Sequence, residues 1–321
     1  MSAAGDIPKR LLVAIGGNAT HPENIAGTSA EQREIAARTA RSLLPLALMD
    51  NELVITHGNG PVVGKILMRQ ALARSRIAPM DLDICVAHSQ GGIAYLLMQA
   101  MENALREAGS QRHVACLLTQ VEVDPNDPAF AHPSKPIGPF FTASEARQVE
   151  REFGWRMAED SGRGWRHVVA SPRPRHICDV SLVRTLSRRG SVVIAGGGGG
   201  IPVVRGPRGV RHGVSAVIDK DFTSALMARV LGIDHLLLLT AVPRVSVNFG
   251  TAEQEELDHV GVDRLRALQQ QGQFQAGSMA PKIAAAIEFL DSGGREVIVG
   301  PLEQAVEALH GDTGTHILAA G

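Results

Sequence analysis

Aromatic side chains are scarce in this 321-residue chain, at 3%, and Tyr95 is the only tyrosine. That poverty excludes the stacking platforms on which single-stranded nucleic acid is held. Charge of one sign is lacking too: 32 basic against 33 acidic residues give a net charge of −1, so no electrostatic footprint for nucleic acid or a membrane surface exists. No apolar run approaches the roughly 18 residues of a spanning helix, and the opening residues Met1 to Arg10 lack the apolar core of a secretion signal. Three cysteines, Cys85, Cys116 and Cys178, are odd in number and in no metal or redox spacing. They read as reduced residues of a cytoplasmic protein. The first strand is not followed by G-x-G-x-x-G, and neither a P-loop nor G-x-S-x-G occurs, which argues against dinucleotide, P-loop and serine-hydrolase chemistry. The twelve histidines form no metal-ligand spacing.

What the chain has is 34 glycines and short, fully apolar runs, a composition suited to helices packed on a parallel sheet. Arg10 to Ile15 reads as a strand ending at Gly16-Gly17-Asn18, and Glu52 to Thr56 as a second ending at His57-Gly58-Asn59-Gly60-Pro61. Between them a helix is expected from Ser29 to Met49, with Ser29 as cap, Gln32 completing a capping box, and a kink at Pro45. A long helix from about Asp83 to Ala108 and a strand from His113 to Thr119 follow. The stretch from Glu122 to Ala170 is too proline-rich for the main sheet and carries both tryptophans, Trp155 and Trp165, so an inserted subdomain or lid is expected there. Arg175 should lead into a helix reaching Arg189. Ser191 to Ala195, Leu236 to Thr240 and Glu296 to Val299 are further buried strands, and Ile201 to Val204 and Gly213 to Ala216 short ones around an exposed basic turn (Arg205, Arg208, Arg211, His212).

Two strand–Gly–Asn turns at one sheet edge make a place where backbone N–H groups can meet an anion. The glycine run Gly196 to Gly200 adds a third, running into Ile201-Pro202, where no helix can begin. Just downstream, Ala216-Val217-Ile218-Asp219-Lys220-Asp221 holds a lysine between two aspartates at a helix start. Lys135 sits between Pro133 and Pro136, and Lys282 follows Pro281 in the first turn of a late helix, where the dipole disfavours a cation. Taken singly, Lys135 and Lys220 read as ordinary solvated residues, whereas the unfavourable position of Lys282 points to an anionic ligand. Three isolated lysines with Asp221 and several glycine turns suit phosphoryl transfer, which needs positioning and cations more than covalent chemistry.

These same residues carry a likeness. Ile15 to Asn18, Thr56 to Pro61, Thr119 to Pro128, Lys135-Pro-Ile-Gly138, Val169 to Pro172, Gly196 to Pro202, Val217 to Asp221 and Gly277-Ser-Met-Ala-Pro-Lys282 resemble the carbamate kinases of the amino-acid-kinase family, in order over almost the whole chain. The resemblance implies an α/β fold: a three-layer αβα sandwich around a mostly parallel sheet, with an inserted protruding subdomain. It implies one such domain over 1–321, with an acceptor lobe over about 8–190, the lid at about 122–170 within it, and a nucleotide lobe over about 191–321. It further implies a homodimer, and transfer between ATP and carbamate giving ADP and carbamoyl phosphate, in the ATP-forming catabolic direction, with Mg²⁺ carried by the nucleotide. Gly16, Gly17, Asn18, Gly58 and Asn59 would hold the acceptor. Lys220, Lys282 and Lys135 would neutralise the moving phosphoryl group, with Asp221 orienting the first two. Gly197, Gly198, Thr240, Ala241, Ser246, Ser278 and Met279 would meet the nucleotide.

The likeness has departures. Where relatives read Leu-Thr-Asp-Val-Asp and then tyrosine, this chain has Thr240-Ala241-Val242-Pro243 and Ser246; Gly-Pro-Gln-Val is Gly60-Pro61-Val62-Val63, and Gly-Pro-Lys is Ala280-Pro281-Lys282. A kinase for another small carboxylate, or a binding protein that has lost turnover, stand as alternatives.

Overall fold

The computed structural model describes residues 8–22, 25–160, 162–275 and 279–319, without the side chain of Asn18. The apolar runs pair into an eight-stranded sheet. In spatial order its strands are His259–Gly261, Thr315–Leu318, Glu296–Pro301, His235–Thr240, Arg10–Ile15, Glu52–His57, Val192–Ile194 and Val114–Cys116. Every neighbouring pair is parallel except Glu296–Pro301 with Thr315–Leu318. Alternation along the central strand splits its side chains between two cores. Leu11, Val13 and Ile15 pack with Leu43, Leu46, Met101 and Leu105 on one face. Leu12 and Ala14 pack with Ala225, Leu226, Ile283 and Phe289 on the other. The sandwich thus has its three layers.

Several element ends differ from the sequence expectation. The first helix, Ser29–Leu48, is capped by Thr28 and not Ser29; Thr28 Oγ1 accepts from the Glu31 amide and Glu31 Oε2 accepts from the Thr28 amide. The capping box is therefore Thr28 with Glu31, one register earlier than Ser29 with Gln32: the Glu31 carboxylate accepts from both the amide and the hydroxyl of Thr28, while Gln32 Nε2 is turned to donate to the Gly27 carbonyl. The segment after Ser171 makes a strand, Pro174–Ile177, before its helix begins at Val180. That strand pairs with Gln120–Val123 in a four-stranded sheet completed by Ile201–Arg205 and Arg211–Gly213. Gly213 ends this last strand instead of starting one, since Val203 pairs with Gly213 and Arg205 with Arg211 across the exposed basic hairpin.

The proline-rich stretch holds a separate three-stranded sheet of Lys135–Phe141, Trp165–Val169 and Met157–Glu159. The helix Ala143–Phe153 covers it, and Ala146, Val149 and Met157 pack with Trp155 and Trp165 into its own small core. A further cluster, Val63, Leu82, Cys85, Ile137, Val169 and Val217, joins this unit to the helices Gly60–Ala73 and Leu82–Glu107. Contact there is close enough that only glycines fit. A Cβ on Gly64 would stand 2.1 Å from the backbone of Gly138, whose own φ is +77°. That crossing brings Lys135 over the edge of the main sheet.

Candidate active site

The strands Arg10–Ile15, Glu52–His57 and His235–Thr240 end side by side, and their carboxyl ends open into a cleft of about 820 Å³, the position at which open α/β sheets bind ligands. The Gly58 amide donates to the Ile15 carbonyl (3.0 Å), so the two glycine turns lie against each other. A Cβ on Gly58 would fall 2.9 Å from the Gly17 amide nitrogen. Pro61, in the first turn of its helix, needs no hydrogen-bond partner there. Asn59 is buried, with Nδ2 donating to Ser89 Oγ at 2.8 Å, and lies where a Cβ on Gly198 would be 2.2 Å away. The glycine run forms a 3-10 turn, Gly197–Gly199, with positive φ at Gly196, Gly198, Gly199 and Gly200. Its glycines let it press on Asn59 and on the fully buried His57, whose ring burial pushes down to about 4, so the imidazole is neutral.

Lys220 opens the helix Lys220–Leu231 and is 8% exposed; Asp221 beside it is 3% exposed. Asp221 is shared. Its Oδ1 accepts from Lys220 Nζ and its Oδ2 from Lys282 Nζ at 2.8 Å, the latter arriving from the helix Met279–Asp291. Asp219 caps the Lys220 helix through Oδ1, which accepts from the Asp221 amide at 2.9 Å, while its Oδ2 takes Lys135 Nζ at 2.7 Å. Three lysines from three distant segments are thus held by two carboxylates two residues apart. Burial pushes the Lys220 ammonium down to about 8, against the pull of Asp221. Burial also works against the charge on Lys282, but Asp221 outweighs it and the net shift is upward. Burial would raise both carboxyls; the lysines overcome it and hold Asp219 and Asp221 below the usual range.

The cleft is lined by Gly16, Gly17, Gly58, Asn59, Gly198, Thr240, Ala241, Lys135, Lys220, Asp221 and Lys282. Gly197 is not among them, being turned against the His57 ring. Ser246 lies in the strand Val245–Val247 paired with Glu256, and Met279 packs half-buried on the larger core; neither lines the cleft. Ser278 lies outside the described residues, as does the Asn18 side chain. Sequence reasoning gave no task to Asp219, or to Asp160, Arg163 and Arg166, which line the cleft from the small sheet. Arg166 donates from Nη1 to Asp160 Oδ2 (3.1 Å) and from Nε to the Gly138 carbonyl (3.1 Å). The cap position of Asp219 was a usable signal; the arginines had none. Among the described residues no three His, Cys, Asp or Glu side chains stand together as an ion site.

Residues 9–301 match the profile of the amino acid kinase family. A carbamate kinase of Pyrococcus furiosus is 42% identical over 97% of this chain and 99% of its own length. The carbamate kinase-like protein YahI of Escherichia coli is 44% identical over 96% and 98%. The solved carbamate kinase of Giardia lamblia, 38% identical and covering 98% of this chain and 99% of its own, superposes with a TM-score of 0.92 in its citrate complex and 0.88 with AMP-PNP. The chain therefore belongs to the amino acid kinase family and, within it, to the carbamate kinases.

Proposed function

We propose that this chain is a carbamate kinase that transfers a phosphoryl group between ATP and carbamate and works mainly in the ATP-forming direction. The carrying observation is the convergence of Lys135, Lys220 and Lys282 on one glycine-lined cleft. In the ATP-forming sense a β-phosphate oxygen of ADP attacks phosphorus, the bond from phosphorus to the carbamate oxygen breaks, and carbamate leaves with that electron pair. No proton need move, so the engagement of Asp219 and Asp221 by lysines, which leaves neither of them as a general base, is consistent with the chemistry.

Lys220 and Lys282 face charge on the equatorial oxygens, and Asp221 keeps both ammonium groups aimed without rearrangement during the reaction. Lys135 closes from the small sheet, which acts as a lid. The turns at Gly16-Gly17 and Gly58-Asn59 take the small planar acceptor, while Thr240 and Ala241 lie on the nucleotide side. Mg²⁺ carried by the nucleotide would supply charge neutralisation at the phosphates; Asp219 and Asp221, each held by lysine, would not be among its ligands.

A homodimer is supported by exposed Ile84 and Tyr95, eleven residues apart on one face of the long helix, beside exposed Leu118. The cytoplasm suits its three free cysteines; no described helix is long and apolar enough to cross a membrane. The test is ATP formation from ADP and carbamoyl phosphate with Mg²⁺. Rapid turnover supports the reading. Binding without turnover favours a non-catalytic protein, and turnover only with another acyl phosphate favours a different acceptor.

A further inference from the structure

The loop that follows the first strand is closed from outside the cleft by a pair of side chains with no part in the lysine–aspartate cluster. His21 is 3% exposed, and its Nε2 lies 2.7 Å from Lys65 Nζ. The same ammonium donates to the Ala26 carbonyl at 3.3 Å, so Lys65 ties the outgoing and returning arms of the loop together. Gly27 permits this closure: at φ +84° it has no Cβ, and one would stand 2.6 Å from the His21 ring and 3.2 Å from Lys65 Nζ. The returning arm is fixed in turn by Gln32 Nε2 donating to the Gly27 carbonyl and the Gly27 amide donating to Glu31.

The link to the cleft is one hydrogen bond long. The His21 amide donates to the Gly17 carbonyl at 2.7 Å, and Thr20 Oγ1 donates to the same oxygen at 2.9 Å. Gly17 lines the cleft and sits where a Cβ would touch Pro61 Cδ at 3.4 Å. Pro61 and Lys65 are four residues apart on one helix and share a face. One helical turn therefore grips the Gly17 turn at both ends, Pro61 against the glycine itself and Lys65 through His21.

We propose that His21 and Lys65 form a positioning clasp for the acceptor side of the cleft, setting the Gly16–Gly17 turn and hence acceptor affinity, and that acid opens it. The assignment of that turn to the acceptor rests on the function proposed above. Lys65 can donate to Nε2 only while that nitrogen keeps its lone pair. On protonation two cations would face each other, and Nδ1 is buried with no hydrogen-bond partner among the described residues, so an imidazolium gains no acceptor. The other charged groups near the ring are Arg69, on the Lys65 helix, and Glu31, on the helix that follows the loop. Burial first, and Lys65 second, already hold the imidazole below its ordinary range, with Glu31 opposing. The neutral, clasped form is accordingly kept at neutral pH and lost as pH falls below that range.

The experiment compares wild type, Lys65→Met and His21→Gln in the ATP-forming assay. Lys65→Met is expected to raise KM for carbamoyl phosphate roughly five- to tenfold, the scale of one net hydrogen bond, with kcat and KM for ADP within about twofold. His21→Gln still offers an oxygen to Lys65 but does not titrate. Its KM for carbamoyl phosphate, divided by the wild-type value at each pH to remove the substrate's own ionisation, should fall as pH goes from 7.5 to 5.5. Hydrogen exchange at amides 17–21 should quicken in Lys65→Met. Unchanged KM and unchanged exchange in Lys65→Met overturn the clasp, as does an equal loss in kcat and both KM values with a lowered Tm, which marks a merely structural pair. A constant His21→Gln ratio overturns the acid opening. A wild type that turns over no carbamoyl phosphate sinks the proposed function instead, and the exchange experiment still decides the clasp.

Discussion

Lys282 Nζ lies 2.8 Å from Asp221 Oδ2 although the two residues are 61 positions apart. The other oxygen of the same carboxylate holds Lys220, so one buried anion sets the spacing of two cations. Asp221→Asn keeps the shape and one acceptor oxygen but removes the charge that opposes the desolvation of both lysines. Breaking a buried pair of this kind is worth about 3–5 kcal/mol, and Lys220 should lose its proton at lower pH than in wild type. We expect a lowered Tm together with at least a hundredfold fall in kcat, measured by thermal melts and the coupled assay. Turnover within threefold of wild type would remove Asp221 from the catalytic apparatus.

The Lys220 ammonium is held down to about 8, chiefly by burial. A base with a lowered pKa is charged below that value and neutral above it. The free enzyme should therefore lose kcat/KM as pH rises through about 8, with kcat itself holding to higher pH because bound polyanion favours the charged form. Lys220→Arg keeps its charge across this range and should abolish the alkaline limb, at reduced rate. Lys220→Ala should lose roughly 10²–10³-fold in kcat, the scale of one preorganised donor. Full pH profiles of the three proteins check this; an alkaline limb that survives in Lys220→Arg assigns the titration elsewhere.

The lysines could be read from the chain because each interrupts a local pattern: Lys220 at a helix start, Lys282 after a helix-initiating proline, Lys135 between two prolines. The glycine turns were legible for the same reason, as abrupt ends to apolar strands. Asp219 was not singled out, since a cap residue that accepts from the amide two residues on is complete locally, and its second oxygen meets Lys135 from 84 positions away. Arg166 and Asp160 belong to the same class: they acquire a role only when the small sheet crosses the helix at Gly64. Ser246 was assigned to the nucleotide by the resemblance alone; it stands in the short strand Val245–Val247, paired with Glu256. Local signals reached the charged residues; they did not reach the contacts that aim them.

Lys135 and Asp219 differ from the deeper pair in being partly solvated, with side chains 20% and 18% exposed. An ion pair so placed contributes little to stability, about 0–1 kcal/mol. Lys135→Met should leave Tm within about 3 °C of wild type and lower kcat/KM for carbamoyl phosphate at least tenfold. Kinetics and calorimetry on the same preparation separate the two effects. A large Tm loss without a kinetic effect would make Lys135 a structural tether.

Gly64 tests the proposed lid from the opposite direction. An added Cβ would lie 2.1 Å from both the nitrogen and the Cα of Gly138, and backbone has no rotamer by which to move aside. The strand Lys135–Phe141 must then shift off the helix Gly60–Ala73, carrying Lys135 away from Asp219. Gly64→Ala should therefore lower stability by about 1–3 kcal/mol, as overpacking does, and depress kcat/KM along with it. The comparison with Lys135→Met is decisive: both variants lose turnover, but only Gly64→Ala loses stability. If Gly64→Ala melts early yet keeps wild-type kinetics, the small sheet can move without disturbing catalysis, and Lys135 is not delivered to the cleft by that crossing.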